Sequence, residues 1–316
     1  FQCGLVQSIT VMILIFILNL LSFFVYFKTW VFGNTFSYEG ISSIALSKNI
    51  SIFICIILLF SFICMLFDMS AKIPHYVVDL FSLSSNCPAI LLNKWFLYYI
   101  ISFLTIFPTL FNKSIASFYI ISIIGNFFLF VSVISFFWGF FAENRPAKFE
   151  TTAFANNFRL SAECIAGFTN TFFINPLIYF IAMSTTSPSA KSIKGMVVIV
   201  NLSSLILNLA TGIVGYYLHS NIEDILDLFP TKSAYAIICK IGLIIKLITS
   251  NVCYFYIIST KLCEIILKGS EKWTVAIVTA GIVIITLNAI NLFTKFHIFF
   301  NVVEYLGHIL QCFLNF

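Results

Sequence analysis

The sequence predicts an all-α polytopic membrane protein, and two observations support this fold class. First, 60% of the 316 residues are hydrophobic and only 9% are charged, whereas soluble globular domains carry about 25% charged residues. So few charges cannot cover a soluble surface of this size. Second, apolar segments of about 20 residues, the length that a membrane-spanning helix needs, recur along the chain. We therefore expect a multi-pass protein whose main partner is the lipid bilayer.

Nine predicted spans follow one another, and together they form a single transmembrane domain over residues 1–316. Their bounds are 4–27, 50–72, 94–111, 117–141, 161–183, 195–218, 233–259, 273–293 and 298–316. The second span runs on as an amphipathic extension through Lys72, Pro74 and Asp79. Short polar stretches separate the spans, and the segment 142–160 is the first polar loop of any length.

Composition also bounds the function. The net charge of +5 is modest and gives no indication of nucleic-acid binding. The cysteines and histidines show no metal-ligand spacing, so we expect no cofactor and no metal. A membrane enzyme would need clustered His, Asp or Cys side chains near a membrane face. The four scattered histidines do not supply such a cluster, and the prediction is that the protein is not an enzyme.

The fifth predicted span, 161–183, contains the stretch FTNTFFINPLIYFIAM. Three polar side chains lie in this apolar run, and Pro176 follows the last of them. A proline removes a helix hydrogen bond and clashes with the preceding turn. In lipid, non-helical backbone is tolerated only where protein buries it or it lines a cavity, and secondary transporters place substrate at such breaks. The stretch predicts an interrupted helix between Phe168 and Pro176, or alternatively a plain proline kink with its freed carbonyls capped by asparagine.

The flanks of this stretch carry further motifs. A loop with Pro188-Ser189 and the basic residues Lys191 and Lys194 follows it. The next span ends in Gly215-Tyr216 before the acidic segment IEDILDLFP. Near the N-terminus, GLVQSITVMILIFILNLLSFFVYFKT precedes the short link FSYEGIS. Each motif alone has low specificity, but the ordered set of motifs along the chain is more specific.

This ordered set resembles the amino acid/auxin permease family of the amino acid–polyamine–organocation superfamily, over essentially the whole chain. The resemblance implies a LeuT-like fold, in which two inverted five-helix repeats place the broken helices 1 and 6 at the centre. The nine spans would be helices 2–10 of eleven, so that the first and last helices are missing. Asn175 stands where the family often has His, and an asparagine cannot titrate.

The resemblance also implies a function. We expect a secondary active transporter of amino acids, coupled to a proton or sodium gradient, in the plasma membrane or a vacuolar or lysosomal membrane. The alternative is a membrane receptor that senses the same amino acid without net transport. Because the fold holds the substrate carboxylate largely with helix 1, residues 1–316 alone are expected to show no uptake. The oligomeric state is left open.

Predicted substrate contacts lie on the broken segment, where freed backbone groups would meet the polar end of the amino acid. They are Phe168, Asn170, Thr171, Phe172, Phe173 and Asn175. The phenylalanines would line the part of the site that holds the substrate side chain. Their alternative role is ordinary core packing.

Predicted coupling residues are Lys246, Thr249, Ser250 and Glu304. Hydroxyl oxygens suit a hard cation such as Na+, although Thr and Ser in helices also bond their own backbone carbonyls. Ionisable residues inside a span indicate function because burying charge is costly. Lys246 could stand in place of a sodium ion and Glu304 could carry a coupling proton, or the two could simply pair.

Two further charged features are read as structural. Asp68 and Lys72 are four residues apart on one helix and predict an i,i+4 ion pair. Lys240 lies about two turns inside its helix and is expected to extend its ammonium to the interface.

Overall fold

A computed structural model gives the fold. It describes residues 4–33, 38–45, 47–84, 87–111, 115–142, 165, 168, 190–218, 229, 232–266 and 273–293. Within these ranges every regular element is a helix. The helices are α1 Leu5–Gly33, α2 Tyr38–Ala45, α3 Lys48–Phe81, α4 Lys94–Phe111, α5 Tyr119–Ala142, α6 Ala190–Leu218, α7 Ala234–Ile266 and α8 Trp273–Phe293. Short 3₁₀ turns precede α4 and α5, at Ala89–Leu92 and Ile115–Phe118.

Five of the described helices are long and apolar enough to cross a membrane. The stretches that qualify are Leu5–Thr29, Lys48–Phe81, Tyr119–Ala142, Lys191–Tyr216 and Ala234–Cys263, and Lys94–Leu110 and Ile277–Thr286 are shorter apolar stretches. These helices fit an integral membrane protein that crosses the bilayer several times.

The predicted spans agree with these helices, although several helices continue into polar sequence. Two predicted spans, 94–111 and 273–293, have the bounds of α4 and α8. The extension of α3 is confirmed, since this helix continues through Pro74 to Phe81. The predicted spans 161–183 and 298–316 lie outside the described residues, apart from Ile165 and Phe168.

The contacts divide the chain into two compact units. Among the described helices, the first unit contains α1, α2, α3 up to Leu58, and α6. The second contains α3 from Leu59, α4, α5 up to Gly139, α7 and α8. Each unit has its own packing.

In the first unit, α1 and α6 pack antiparallel along most of their length. One apolar cluster joins Phe23 and Phe27 to Ile193 and Val197. A second lies farther toward the start of α1 and the end of α6, and consists of Met12, Ile15 and Leu205. In the direction in which residue numbers increase along α1, the numbers of the contacting residues in α6 decrease, so the two helices are antiparallel.

A polar contact lies between these two clusters. Asn19 Nδ2 donates a hydrogen bond to Asn201 Oδ1 at 2.9 Å, and both side chains are buried. The Asn201 amide donates in turn to the Val197 carbonyl at 3.0 Å. An asparagine pair of this kind is a polar tie between helices whose other contacts are apolar.

In the second unit, α4 packs against α7 and α8. An apolar cluster is centred on Ile73 of α3 with Leu97 and Ile101 of α4. Helices α3 and α7 are antiparallel, because Asp79 contacts Lys240 while Ser70 contacts Asn251.

Six of the eight described helices, all but α2 and α5, form two series of similar lengths. Helices α1, α3 and α4 have 29, 34 and 18 residues, and α6, α7 and α8 have 29, 33 and 21. Two interhelical hydrogen bonds show the same spacing. The Asn19–Asn201 bond joins residues 182 apart, and the Ser70–Asn251 bond joins residues 181 apart. The two sets of helices thus repeat at a nearly constant distance along the chain.

Candidate functional site

Phe168 is the one predicted substrate contact among the described residues. It is half-buried and packs against the cluster of Met12, Ile15 and Leu205 between α1 and α6. This position agrees with the packing alternative for this phenylalanine. The other predicted contacts lie outside the described residues, namely Asn170, Thr171, Phe172, Phe173 and Asn175, and so does the predicted helix break.

Proline does not interrupt α3 or α4, the two described helices that contain one. Pro74 lies inside α3 and Pro108 lies inside α4, and both helices are continuous through their prolines.

Lys246, Thr249 and Ser250 lie near the middle of α7. The Thr249 hydroxyl donates to the Lys246 backbone carbonyl at 2.9 Å, which is the own-helix bond expected of a helical threonine. Glu304 lies outside the described residues. The structure therefore brings Lys246 and Thr249 together through the backbone of one helix.

The Lys246 side chain reaches the neighbouring helix α5. Its Nζ donates a hydrogen bond to Asn126 Oδ1 at 2.9 Å. An ammonium group has donors and no acceptor, so the Asn126 amide must present its oxygen to Lys246. The Asn126 Nδ2 donor is then left beside the ammonium, within the same amide group. The contact forms a small polar patch near the middle of α7 and about two turns inside α5.

Sequence reasoning missed Asn126. It is the one amide residue in the apolar run YIISIIGNFFLF, and a polar side chain inside a span is itself a functional signal. The run gave no indication of its partner, because the pairing with Lys246 depends on how α5 and α7 align.

Close contact between α5 and α7 fixes this pair. A Cβ atom on Gly125 would collide with the Thr249 hydroxyl, and one on Gly242 would collide with Ser132 Oγ. The Ser132 hydroxyl also lies 3.1 Å from the Cys239 carbonyl of α7. Small residues allow membrane helices to approach closely in this way, and here they place Lys246 directly beside α5.

Lys240 is paired with an acidic residue of α3, and whether its ammonium reaches the membrane interface stays a prediction. Its side chain is only 6% exposed, and its Nζ lies 3.1 Å from the Asp79 carboxylate, which is 48% exposed. The antiparallel packing of α3 against α7 places the Asp79 carboxylate within ion-pair distance of the Lys240 ammonium. The prediction for Asp68 and Lys72 is confirmed, with Nζ and Oδ2 2.8 Å apart.

Asn251 is a further polar residue of α7 that is completely buried. Its Nδ2 donates to Ser70 Oγ at 3.1 Å, while its Oδ1 has no hydrogen-bond partner in the described part of the chain. The bond ties α7 to α3 about three helical turns along α7 from the Lys240–Asp79 pair.

The described residues contain no group of three His, Cys, Asp or Glu side chains that could hold a metal ion.

No protein-family model matches the chain, and no curated protein matches it significantly. The resemblance to the amino acid/auxin permeases therefore remains an expectation from the sequence motifs.

Proposed function

We propose that the protein is a secondary active transporter of amino acids with a LeuT-like arrangement of inverted repeats. The observation that carries this proposal is the repeat spacing. In an inverted repeat, helix 2 corresponds to helix 7 and helix 3 to helix 8, with opposite directions across the membrane. The pairs α1–α6 and α3–α7 are antiparallel, and each is tied by a bond between residues 181 or 182 apart.

This spacing supports the proposal because a local twofold axis between two equivalent helices brings equivalent residues together. Asn19 and Asn201 would be such equivalent residues, and so would Ser70 and Asn251. The recurring lengths of α1, α3 and α4 in α6, α7 and α8 agree with the same relation. Many transporters are built from repeats of this type, and their substrate and coupling-ion sites lie near the bilayer midplane.

Charge inside the membrane adds support for transport. Lys246 lies near the middle of α7, and its described side-chain partner is a neutral amide. Intramembrane charges are rare and mark substrate or ion pathways. The coupling roles proposed for Lys246, Thr249, Ser250 and Glu304 are part of this proposal, as is the choice between proton and sodium.

Uptake assays with the full-length gene product test the proposal. Liposomes that contain the protein are given a panel of labelled L-amino acids, with and without a pH gradient and with and without a sodium gradient. We expect uptake of at least one amino acid above that of empty liposomes, and a further increase under one of the gradients. An absence of uptake together with saturable binding would instead favour the amino-acid-sensing receptor.

A further inference from the structure

The two units differ in how their buried polar side chains are satisfied. In the first unit, the buried amides of Asn19 and Asn201 are hydrogen-bonded to each other. Within the described ranges, every buried polar side-chain atom that has no hydrogen-bond partner belongs to the second unit. These atoms are Ser61 Oγ, Asn251 Oδ1, Ser259 Oγ, Trp273 Nε1, and both Oδ1 and Nδ2 of Asn288. Leaving a buried polar group unpaired is costly, so the second unit needs a further source of hydrogen bonds.

The α3–α7 contact places two of these atoms at one level. The hydrogen bond between Asn251 and Ser70 aligns α7 with α3, and the two helices are antiparallel. Nine residues back along α3 lies Ser61, and eight residues forward along α7 lies Ser259. Because every helical residue adds the same rise, these two distances are nearly equal, and the two buried hydroxyls lie level with each other.

Helix α8 adds a third group at that level and another group nearer the start of α7. The ring of Trp273, the first residue of α8, packs against Tyr256 with centroids 5.5 Å apart. Tyr256 lies about one turn before Ser259, so the indole N–H of Trp273 belongs to the same level. Since α8 begins near the end of α7 and packs against it, Asn288 lies about 22 Å farther toward the start of α7. Asn251 lies between these two levels.

The two serines differ from other buried hydroxyl residues of this unit. Thr105 and Thr260 each donate to the backbone carbonyl four residues earlier, at 2.9 Å, which is the usual bond of a hydroxyl inside a helix. The hydroxyls of Ser61 and Ser259 make no such bond. They are therefore available to a molecule that lies between the helices.

Water matches the chemistry of all three levels. The indole of Trp273 can only donate and the Asn251 carbonyl can only accept, whereas the serine hydroxyls and the Asn288 amide do both. A single kind of ligand for these groups must donate and accept, and it must be small enough to lie between packed helices. Buried water molecules typically make about three hydrogen bonds to polar groups of this kind.

We propose that water molecules occupy the interior of the second unit along α7, at the three levels marked by Ser259, Asn251 and Asn288. This inference does not depend on which solute the protein transports. The charged residues Lys240 and Lys246 lie on the same helix, and charged residues of membrane spans face the interior of the helix bundle or a water-filled cavity. Internal water lowers the cost of holding these two charges between apolar helices.

Radiolytic footprinting tests the proposal, because hydroxyl radicals formed from internal water oxidise the side chains beside it. The full-length gene product in detergent micelles is exposed to a short X-ray pulse, and the oxidation of each residue is measured by mass spectrometry. Tyr256 of the second unit and Tyr26 of the first are a matched pair, since both are 7% exposed. We expect Tyr256 to be oxidised several-fold faster than Tyr26. Equal rates, or a faster reaction of Tyr26, would overturn the proposal.

Two variants locate the water that causes this oxidation. Ser259→Val removes a hydroxyl near Tyr256 and fills the space beside it, so the oxidation of Tyr256 should fall toward the rate of Tyr26. Thr260→Val is the matched control, because the Thr260 hydroxyl already bonds the Tyr256 carbonyl at 2.9 Å, and it should leave the rate unchanged. If Ser259→Val does not fold, Ser61→Val removes the hydroxyl on α3 and should have the same effect. A rate that both kinds of variant change equally, or that neither changes, would contradict a water site at this level.

Discussion

The α1–α6 pair of the first unit and the α5–α7 pair of the second are both antiparallel contacts between apolar helices, but they are built differently. The α1–α6 contact uses large apolar side chains and one neutral asparagine bond. The α5–α7 contact uses glycine and serine at close range and places a lysine beside an asparagine. The comparison indicates that α1–α6 is a packing interface, whereas α5–α7 also positions a charged side chain between two apolar helices.

Breaking the ion pair between Lys240 and Asp79 in the second unit should have the largest effect on stability. Asp79→Asn would leave the 6% exposed Lys240 side chain without its counter-charge. Removing one partner of a buried ion pair costs about 3–5 kcal/mol, and we expect a loss of this size in the free energy of unfolding. Unfolding of the purified protein in mixed micelles measures it.

The opposite variant provides the control for this prediction. Lys240→Met leaves Asp79, which is 48% exposed and can be solvated, so its cost should be smaller. The double variant should recover most of the stability. Equal losses for the two single variants would contradict the account of a buried lysine and a half-exposed aspartate.

The glycines sharpen the comparison between the two helix pairs. A Cβ on Gly242 of α7 would lie 2.6 Å from the Phe128 carbonyl oxygen, whereas one on Gly195 of α6 meets nothing within 4 Å. Gly242→Ala should destabilise the protein by about 1–3 kcal/mol because the contact is overpacked. Gly195→Ala should be neutral or stabilise by up to about 1 kcal/mol, since alanine favours the helix. If the two variants changed the free energy of unfolding in the same direction and by the same amount, α5 and α7 would not be in close contact.

The asparagine bond of the first unit should have a smaller effect. Asn19→Leu removes the 2.9 Å bond and leaves the buried Asn201 oxygen without this donor. Interhelical hydrogen bonds in membranes contribute about 0.6 kcal/mol on average and at most about 1.7, so we expect a loss within that range. Unfolding in mixed micelles measures it, with Thr10→Ala as the control, because the Thr10 hydroxyl bonds only its own helix. A loss well above this range would mean that the pair does more than hold α1 against α6.

The smallest effect is expected for the exposed pair on α3. Lys72 is 51% exposed and Asp68 33%, and i,i+4 pairs at such positions contribute about 0.3–0.5 kcal/mol. Lys72→Gln should therefore change the free energy of unfolding by no more than this amount, and the change should decrease at high salt. A loss as large as that of Asp79→Asn would remove the distinction between the two ion pairs.

The positions of the described helices along the chain were largely predictable from the sequence, because hydropathy alone locates apolar spans. The bounds of α4 and α8 match the predicted spans, and α3 continues through Pro74 as predicted. Hydropathy marks where apolar residues stop, whereas the helices continue into polar sequence. The actual ends of α1 and α7, at Gly33 and Ile266, therefore lie beyond the predicted ones.

The pairing of polar side chains was less predictable. The Asp68–Lys72 pair lies within one helix, so spacing alone was sufficient. Lys240 with Asp79 and Lys246 with Asn126 join residues 161 and 120 positions apart. Their partners depend on how separate helices align, which a single sequence does not specify. The substrate segment around Asn175 remains a prediction.

Counterflow in liposomes tests the central claim most directly, because it separates a transporter from a receptor that only binds. Liposomes that contain the full-length gene product are loaded with an unlabelled amino acid from the panel and diluted into a trace of the same labelled compound. The account predicts transient accumulation of label inside the liposomes, and a much smaller accumulation for the Lys246→Met variant. Saturable binding of the amino acid by the wild type, with no accumulation of any panel member, would contradict it.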